Sequence, residues 1–368
     1  MLELADIGRA TGEVYPRLRG ATLLPAQRRA LDDIVACRTA ALGGHVREGD
    51  HCGARQYSYH SCRNRHCPKC HGEQTQRWLD RQRARLLPCA YFLLTFTLPD
   101  PLRALARAQP QLVYGVLMRA AAAALLRLTA DPRYLGARPG GLAVLHTWTR
   151  ALLYHPHVHM LVTAGGLRGA DQTWVPPRHA AFLVPGWALS RLFRGKVRAG
   201  LQKAGLLEQV PAALWQQEWV VHVQPAGTGE KVLEYLARYV FRIAIVNSRL
   251  ERFDDGQVTF RYREGRTRLL RRCTLDAVAF LDRFLQHVLP SGFTKVRHYG
   301  LFSPSRRDLL AQARAQLLAA SATPSPDSVP SDPVTTPARA SARLPSCPVC
   351  GIGLLHVVET LPPCGRSP

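Results

Sequence analysis

Apolar positions along the chain follow two periods. Residues 91–99, YFLLTFTLP, form an unbroken apolar run stopped by a proline, which predicts a buried strand. Residues 112–128 are rich in Ala and Leu and predict a helix. Residues 141–148 and 151–163 predict two more strands, the second ending at Gly165-Gly166. Residues 230–245 predict a helix, with Gly229 before it and Asn247 just beyond its end. Elements in this order predict an α+β fold, with helices packed on an antiparallel sheet.

Composition then divides the chain. The region from Cys37 to His71 is dense in Cys, His and Arg, with little apolar periodicity. The stretch from Ser321 to Ser346 is Ser, Pro, Thr and Ala without an aromatic residue, too polar to offset its own ordering entropy, and is expected to be disordered. The expected boundaries are 1–85, 86–305, a helix end and linker at 306–345, and a short tail with its own CPVC at 346–368.

Charge narrows the function. There are 49 Lys and Arg against 26 Asp and Glu, a formal +23. Such a field attracts polyanions, and most non-specific nucleic-acid affinity comes from neutralising phosphates. Apolar runs such as 90–98 and 121–126 are shorter than the ~20 residues that span a bilayer, so no membrane partner is expected. The start, MLELADIGRA, shows no secretion signal, which predicts a cytoplasmic protein with reduced thiols. Its ten cysteines then read as metal ligands and buried singles.

The segment HCGARQYSYHSCRNRHCPKCHG suits a structural Zn²⁺. Cys67 and Cys70 present two thiolates from one turn. Cys52 has Gly49, not Cys, three residues before it, so the fourth ligand must be Cys62, Cys37 or a histidine. The expected set is Cys52, Cys62, Cys67 and Cys70. Arg63, Arg65 and Lys69 would turn a basic surface to DNA. In the tail, Cys347 and Cys350 could open a second knuckle, completed by His356 or Cys364.

In YHPHVHMLVTAGG, His157 and His159 stand two apart in a strand and so share a face, where two imidazoles can grip one divalent ion. His155 adds little, because Pro156 is expected to bend the chain there. His146, on the preceding strand, is the expected third ligand, with Glu230 and Glu234 as rivals. In KVLEYLARYVFRIAI, Tyr235 and Tyr239 fall on one helix face with Lys231, Arg238 and Arg242, a cationic setting suited to phosphate.

Four segments in order, CRTAALGGH with SCRNRHCPKC, then LHTW, HPHVHMLVTAGG and YLARYVFRIAI, resemble the rolling-circle transposases of the insertion-sequence ninety-one type, within the HUH endonuclease superfamily. The tail CPVCGIGLL is similar as well. The resemblance implies an HUH-type sheet in 86–305, behind a zinc-binding, DNA-binding domain in 1–85. It implies that His157 and His159 bind Mg²⁺ or Mn²⁺. Tyr235 and Tyr239 would be paired nucleophiles forming 5′-phosphotyrosine links to single-stranded or melted transposon ends at the nucleoid. Gly49 departs from the family pattern, which has a zinc cysteine there. A plasmid relaxase or replication initiator shares this chemistry. A zinc-containing regulator would bind DNA without cutting it.

Overall fold

A computed structural model describes residues 1–70, 78–83, 85–228, 231, 243–265, 267–321 and 344–365. Contacts divide the chain into two compact units, Met1–His71 with Thr323–Pro368, and Gly72–Ala322.

The first unit opens with helices α1 (Leu4–Ala10), α2 (Val14–Arg19) and α3 (Pro25–Ala36). Pro25 suits the first turn of α3, where its missing N–H costs nothing, and the Gln27 side chain accepts from the Leu24 N–H at 3.0 Å. Leu4 and Ile7 of α1 and Ala30, Leu31 and Ile34 of α3 are buried. Strands β1 (Gly44–Gly49) and β2 (Arg55–Tyr59) form a hairpin. The last strand, β13 (Leu355–Leu361), pairs antiparallel with the other edge of β1. The tail, set apart by composition, thus completes the sheet of the N-terminal unit.

The second unit is built on β3 (Tyr91–Thr97), β4 (Gly140–Trp148), β5 (Tyr154–Thr163), β8 (Val221–Gly227) and β12 (Val296–Gly300), in the order β12-β4-β5-β3-β8 with every neighbour antiparallel. A two-strand ribbon, β6 (Gly166–Leu167) with β7 (Trp174–Val175), follows β5. Phe96, Leu145, Val158 and Met160 point to one face of the large sheet. That face is covered by α4 (Arg103–Ala108), α5 (Pro110–Thr129) and α6 (Gly186–Lys203). Gly200 lets α6 approach α5, since a Cβ there would lie 2.7 Å from a Val116 methyl. Helix α5 is long and apolar enough to cross a membrane, beyond what its run at 121–126 suggests, but 67% of its most apolar window is buried. Its apolar surface is therefore largely used by the core.

The opposite face is divided. At one end Tyr91, Leu142, Val144 and Leu161 pack in a second cluster with Leu301, Phe302 and Ala313, the last from α8 (Arg307–Ser321). The other end carries the polar site. A separate meander of β9 (Leu250–Asp254), β10 (Gln257–Arg263) and β11 (Leu270–Asp276) leads into α7 (Ala277–Leu285). Asp276 caps α7, its carboxylate accepting from the N–H groups of Val278 and Ala279. The expected disordered linker lies almost wholly outside the described residues, which stop at Ser321 and resume at Leu344.

Candidate active site

Strand register assembles three histidines. Position 146 of β4 lies opposite 157 of β5, and 159 of β5 lies opposite Thr95 of β3. Cross-strand partners share a face, as do residues two apart. The ligand nitrogens of His146, His157 and His159 accordingly lie within 4.8 Å of one another. His157 Nε2 and His159 Nε2 are 3.0 Å apart.

The outer nitrogen of His157 fixes its inner one. His157 Nδ1 is 2.7 Å from the His155 carbonyl, which can only accept, so Nδ1 carries the proton. Burial pushes the His157 pKa down to about 4 despite that hydrogen bond, which keeps the ring neutral near pH 7. Its Nε2 is then a bare lone pair. His159 Nδ1 is 3.0 Å from the Thr95 hydroxyl, which orients the second ring. His146 is buried and stacks on Trp148 with ring centroids 4.9 Å apart. Imidazoles converging on one point, two of them held through the far nitrogen, fit a divalent cation.

These residues line a cavity of about 800 Å³, shared with His155, Trp148, Arg249, Arg261, Arg263 and Arg268. Arg261 and Arg263 donate to the backbone carbonyls of Ser248 and Arg268, neutral acceptors that leave the guanidinium charge in place. Sequence reading underrated His155. The strand runs through Pro156 without ending, because the proline sits where the β4–β5 register shifts at a bulge. Arg103 Nη2 donates to His155 Nδ1 at 2.8 Å, so the proton of neutral His155 resides on Nε2. Burial, then the Arg103 charge, lowers its pKa.

Tyr235, Tyr239, Arg238, Arg242, Glu230 and Glu234 lie outside the described residues. Lys231 is helical and exposed. Ile243 and Ala244, directly after the tyrosine segment in sequence, line the same cavity as the histidines.

The thiols fall into two groups, Cys37 with Cys62, Cys67 and Cys70, and Cys52 with Cys347 and Cys350. Cys37, not Cys52, therefore completes the first set. The reason is the hairpin. Cys37 precedes β1 and Cys62 follows β2, so both sit at its open end, whereas Cys52 lies in the closing turn, about 16 Å of strand away. Within the first group Cys37 Sγ is 3.5 Å and Cys62 Sγ 3.6 Å from Cys70 Sγ. Hydrogen bonds from Cys62 and Cys67 hold the Cys37 thiol far below its ordinary range, as suits a thiolate ligand. Lys69, expected to face DNA, is tied instead to Glu3 at 2.5 Å and to the Cys37 carbonyl at 3.3 Å. Arg63 and Arg65 are exposed.

Residues 10–98 match the family described as "Transposase zinc-binding domain" of the IS91 type, and residues 140–308 the family described as "Putative transposase". Over 97% of its length the chain is 41% identical to the "Putative transposase y4qJ" of Sinorhizobium fredii, covering 95% of that protein. The chain belongs to the IS91-type transposase family. It is also 32% identical to the transposase of insertion sequence element IS801 from Pseudomonas savastanoi, over 73% of this chain and 68% of that one. No solved structure matches. As a member of this transposase family the chain is a DNA-processing enzyme, with DNA as its partner. The zinc-binding domain spans Cys37, Cys62, Cys67 and Cys70, and with their clustering it supports a structural Zn²⁺.

Proposed function

We propose that this IS91-type transposase cuts and rejoins single-stranded or melted transposon ends through 5′-phosphotyrosine intermediates in rolling-circle transposition. The observation that carries the reading is the grouping of His146, His157 and His159 in a cavity that is also lined by five arginines, Arg150, Arg249, Arg261, Arg263 and Arg268. The arginines suit the phosphate backbone, and His155 Nε2–H is a further donor within the same cavity. The hydroxyl of Tyr235 or Tyr239 attacks the scissile phosphorus and the P–O3′ bond breaks. The 5′ phosphate stays esterified to the tyrosine, while the 3′ oxygen leaves and takes up a proton. A later 3′-OH attacks the phosphotyrosine and restores a phosphodiester, so the bond energy is conserved. His146, His157 and His159 would hold a Mg²⁺ or Mn²⁺, which would supply Lewis-acid stabilisation of charge on the phosphate. His157, neutral and with its Nδ1–H engaged, keeps a lone pair for that ion. The position of Ile243, four residues after Tyr239, supports bringing the tyrosines to this cavity.

On this reading residues 1–85, with Arg63 and Arg65 exposed, bind DNA and residues 86–305 cut it, at the nucleoid. Lys231, Arg238 and Arg242 contact phosphates beside the nucleophiles. The test is a denaturing gel of labelled single-stranded DNA from the flanks of the protein's own gene, with Mg²⁺ or Mn²⁺. The wild type should give a protease-sensitive covalent complex that His157→Ala/His159→Ala and chelator both abolish. DNA binding without cleavage, with every end and both metals, would favour the non-cutting regulator.

A further inference from the structure

The second group of thiols lies outside the site described above. Cys52 comes from the turn of the β1–β2 hairpin, while Cys347 and Cys350 come from the tail 295 and 298 positions later. Cys52 Sγ and Cys347 Sγ are 3.5 Å apart. Tetrahedral zinc with Zn–S bonds of ~2.3 Å separates its sulfurs by about 3.8 Å, whereas a disulfide needs ~2.05 Å. The spacing excludes a disulfide, is compatible with thiolates sharing an ion, and matches the spacing in the four-cysteine group.

The backbone around the three sulfurs is built as a knuckle. Gly351 N–H donates to the Cys347 carbonyl at 2.8 Å, Cys347 N–H to the Gly353 carbonyl at 2.7 Å, and Gly353 N–H to Cys350 Sγ at 3.4 Å. Asp50 joins hairpin to tail, accepting from Leu354 N–H at 2.8 Å and pairing with His356 at 3.3 Å. That pairing engages His356, expected from sequence as a ligand, elsewhere. Among the described residues the ligand group stops at three.

Gly49 supplies the remaining observation. A Cβ on Gly49 would stand 3.1 Å from Cys347 Sγ and 3.4 Å from Cys52 Sγ. The backbone at position 49 therefore aims a side chain at the sulfurs of Cys52 and Cys347, and in this chain there is none. We propose that Cys52, Cys347 and Cys350 form a second zinc site, distinct from the four-cysteine site, whose fourth position is left open by Gly49 to water or a small exogenous ligand. The ion clamps the tail onto the β1–β2 hairpin. With three protein ligands instead of four, it exchanges faster than the ion at Cys37, Cys62, Cys67 and Cys70.

The full-length protein, purified under reducing conditions and dialysed, should contain two zinc ions per chain by elemental analysis. Cys347→Ser/Cys350→Ser should contain one. Gly49→Cys should keep two, with the faster-released zinc leaving to a coloured chelator at least tenfold more slowly. One zinc per chain in the wild type, unchanged in the serine variant, would overturn the proposal. So would a Cys52–Cys347 disulfide found by thiol mapping of the same preparation. Should the serine variant lose both ions through misfolding, Gly49→Cys decides: slower release of one ion supports the site, and unchanged release overturns it.

Discussion

A carbonyl oxygen can only accept a hydrogen bond, and that fact sets the state of His157 at the centre of the site. The His155 carbonyl holds its Nδ1–H, leaving Nε2 to a cation. Thr95 orients His159 in a similar way from the neighbouring strand. Thr95→Val keeps shape and loses the hydroxyl, so metal affinity should fall about 10–100-fold. Saturating metal should restore most of the cleavage rate. Titrating Mn²⁺ against cleavage checks this, and an unchanged half-saturation point would deny Thr95 its orienting role. His157 and His159 were legible in sequence because strand alternation puts them on one face, and His146 because a short hairpin connects it. His155 was not, since the bulge that admits Pro156 depends on pairing with β4. Cys52 was misgrouped because nearness in sequence hid the length of the hairpin between it and Cys62.

At the level of elements, β4 and the loop before β5 are tied to the segment after α7 by one buried histidine. His287 lies 3.3 Å from the Thr147 hydroxyl and 3.2 Å from the Leu152 carbonyl, and it is fully buried. Burial lowers its pKa to about 4, against an ordinary 6.5. The unfolded chain therefore takes up this proton first as pH falls. The associated stability is complete above pH 6.5 and is lost down to pH 4, by about 3 kcal/mol in total at ~1.4 kcal/mol per unit. Urea unfolding at pH 7 and pH 4.5 should show a smaller acid loss for His287→Gln than for the wild type. Equal losses would mean that His287 does not titrate as its burial requires. Strands β3, β4 and β5 could be read from sequence because their apolar runs are long and clearly punctuated. Strand β13 could not, since its partner β1 lies some three hundred positions away and supplies the pairing. The β9–β11 meander escaped notice because its strands are largely exposed and rich in arginine.

For the whole molecule, a formal +23 and five arginines around the histidine cavity lead the proposed function to predict that phosphate neutralisation is the main source of DNA affinity. Each phosphate contact on a single strand contributes ~0.7 to the slope of log affinity against log salt. Five contacts should give a slope of about −3.5 in fluorescence-anisotropy titrations. A slope near zero would place the recognition elsewhere than in this charge. The central claim is that strand cleavage runs through the tyrosines at the three-histidine cavity, and it can be read directly by mass spectrometry. Trypsin cleaves after Lys231, Arg238 and Arg242, so Tyr235 and Tyr239 fall on separate peptides, 232–238 and 239–242. The covalent complex, trapped with Mg²⁺ or Mn²⁺ and digested with nuclease and trypsin, should carry its nucleotide mass on one or both of these peptides. A nucleotide on any other peptide, or cleaved DNA with no peptide attached, would contradict the account.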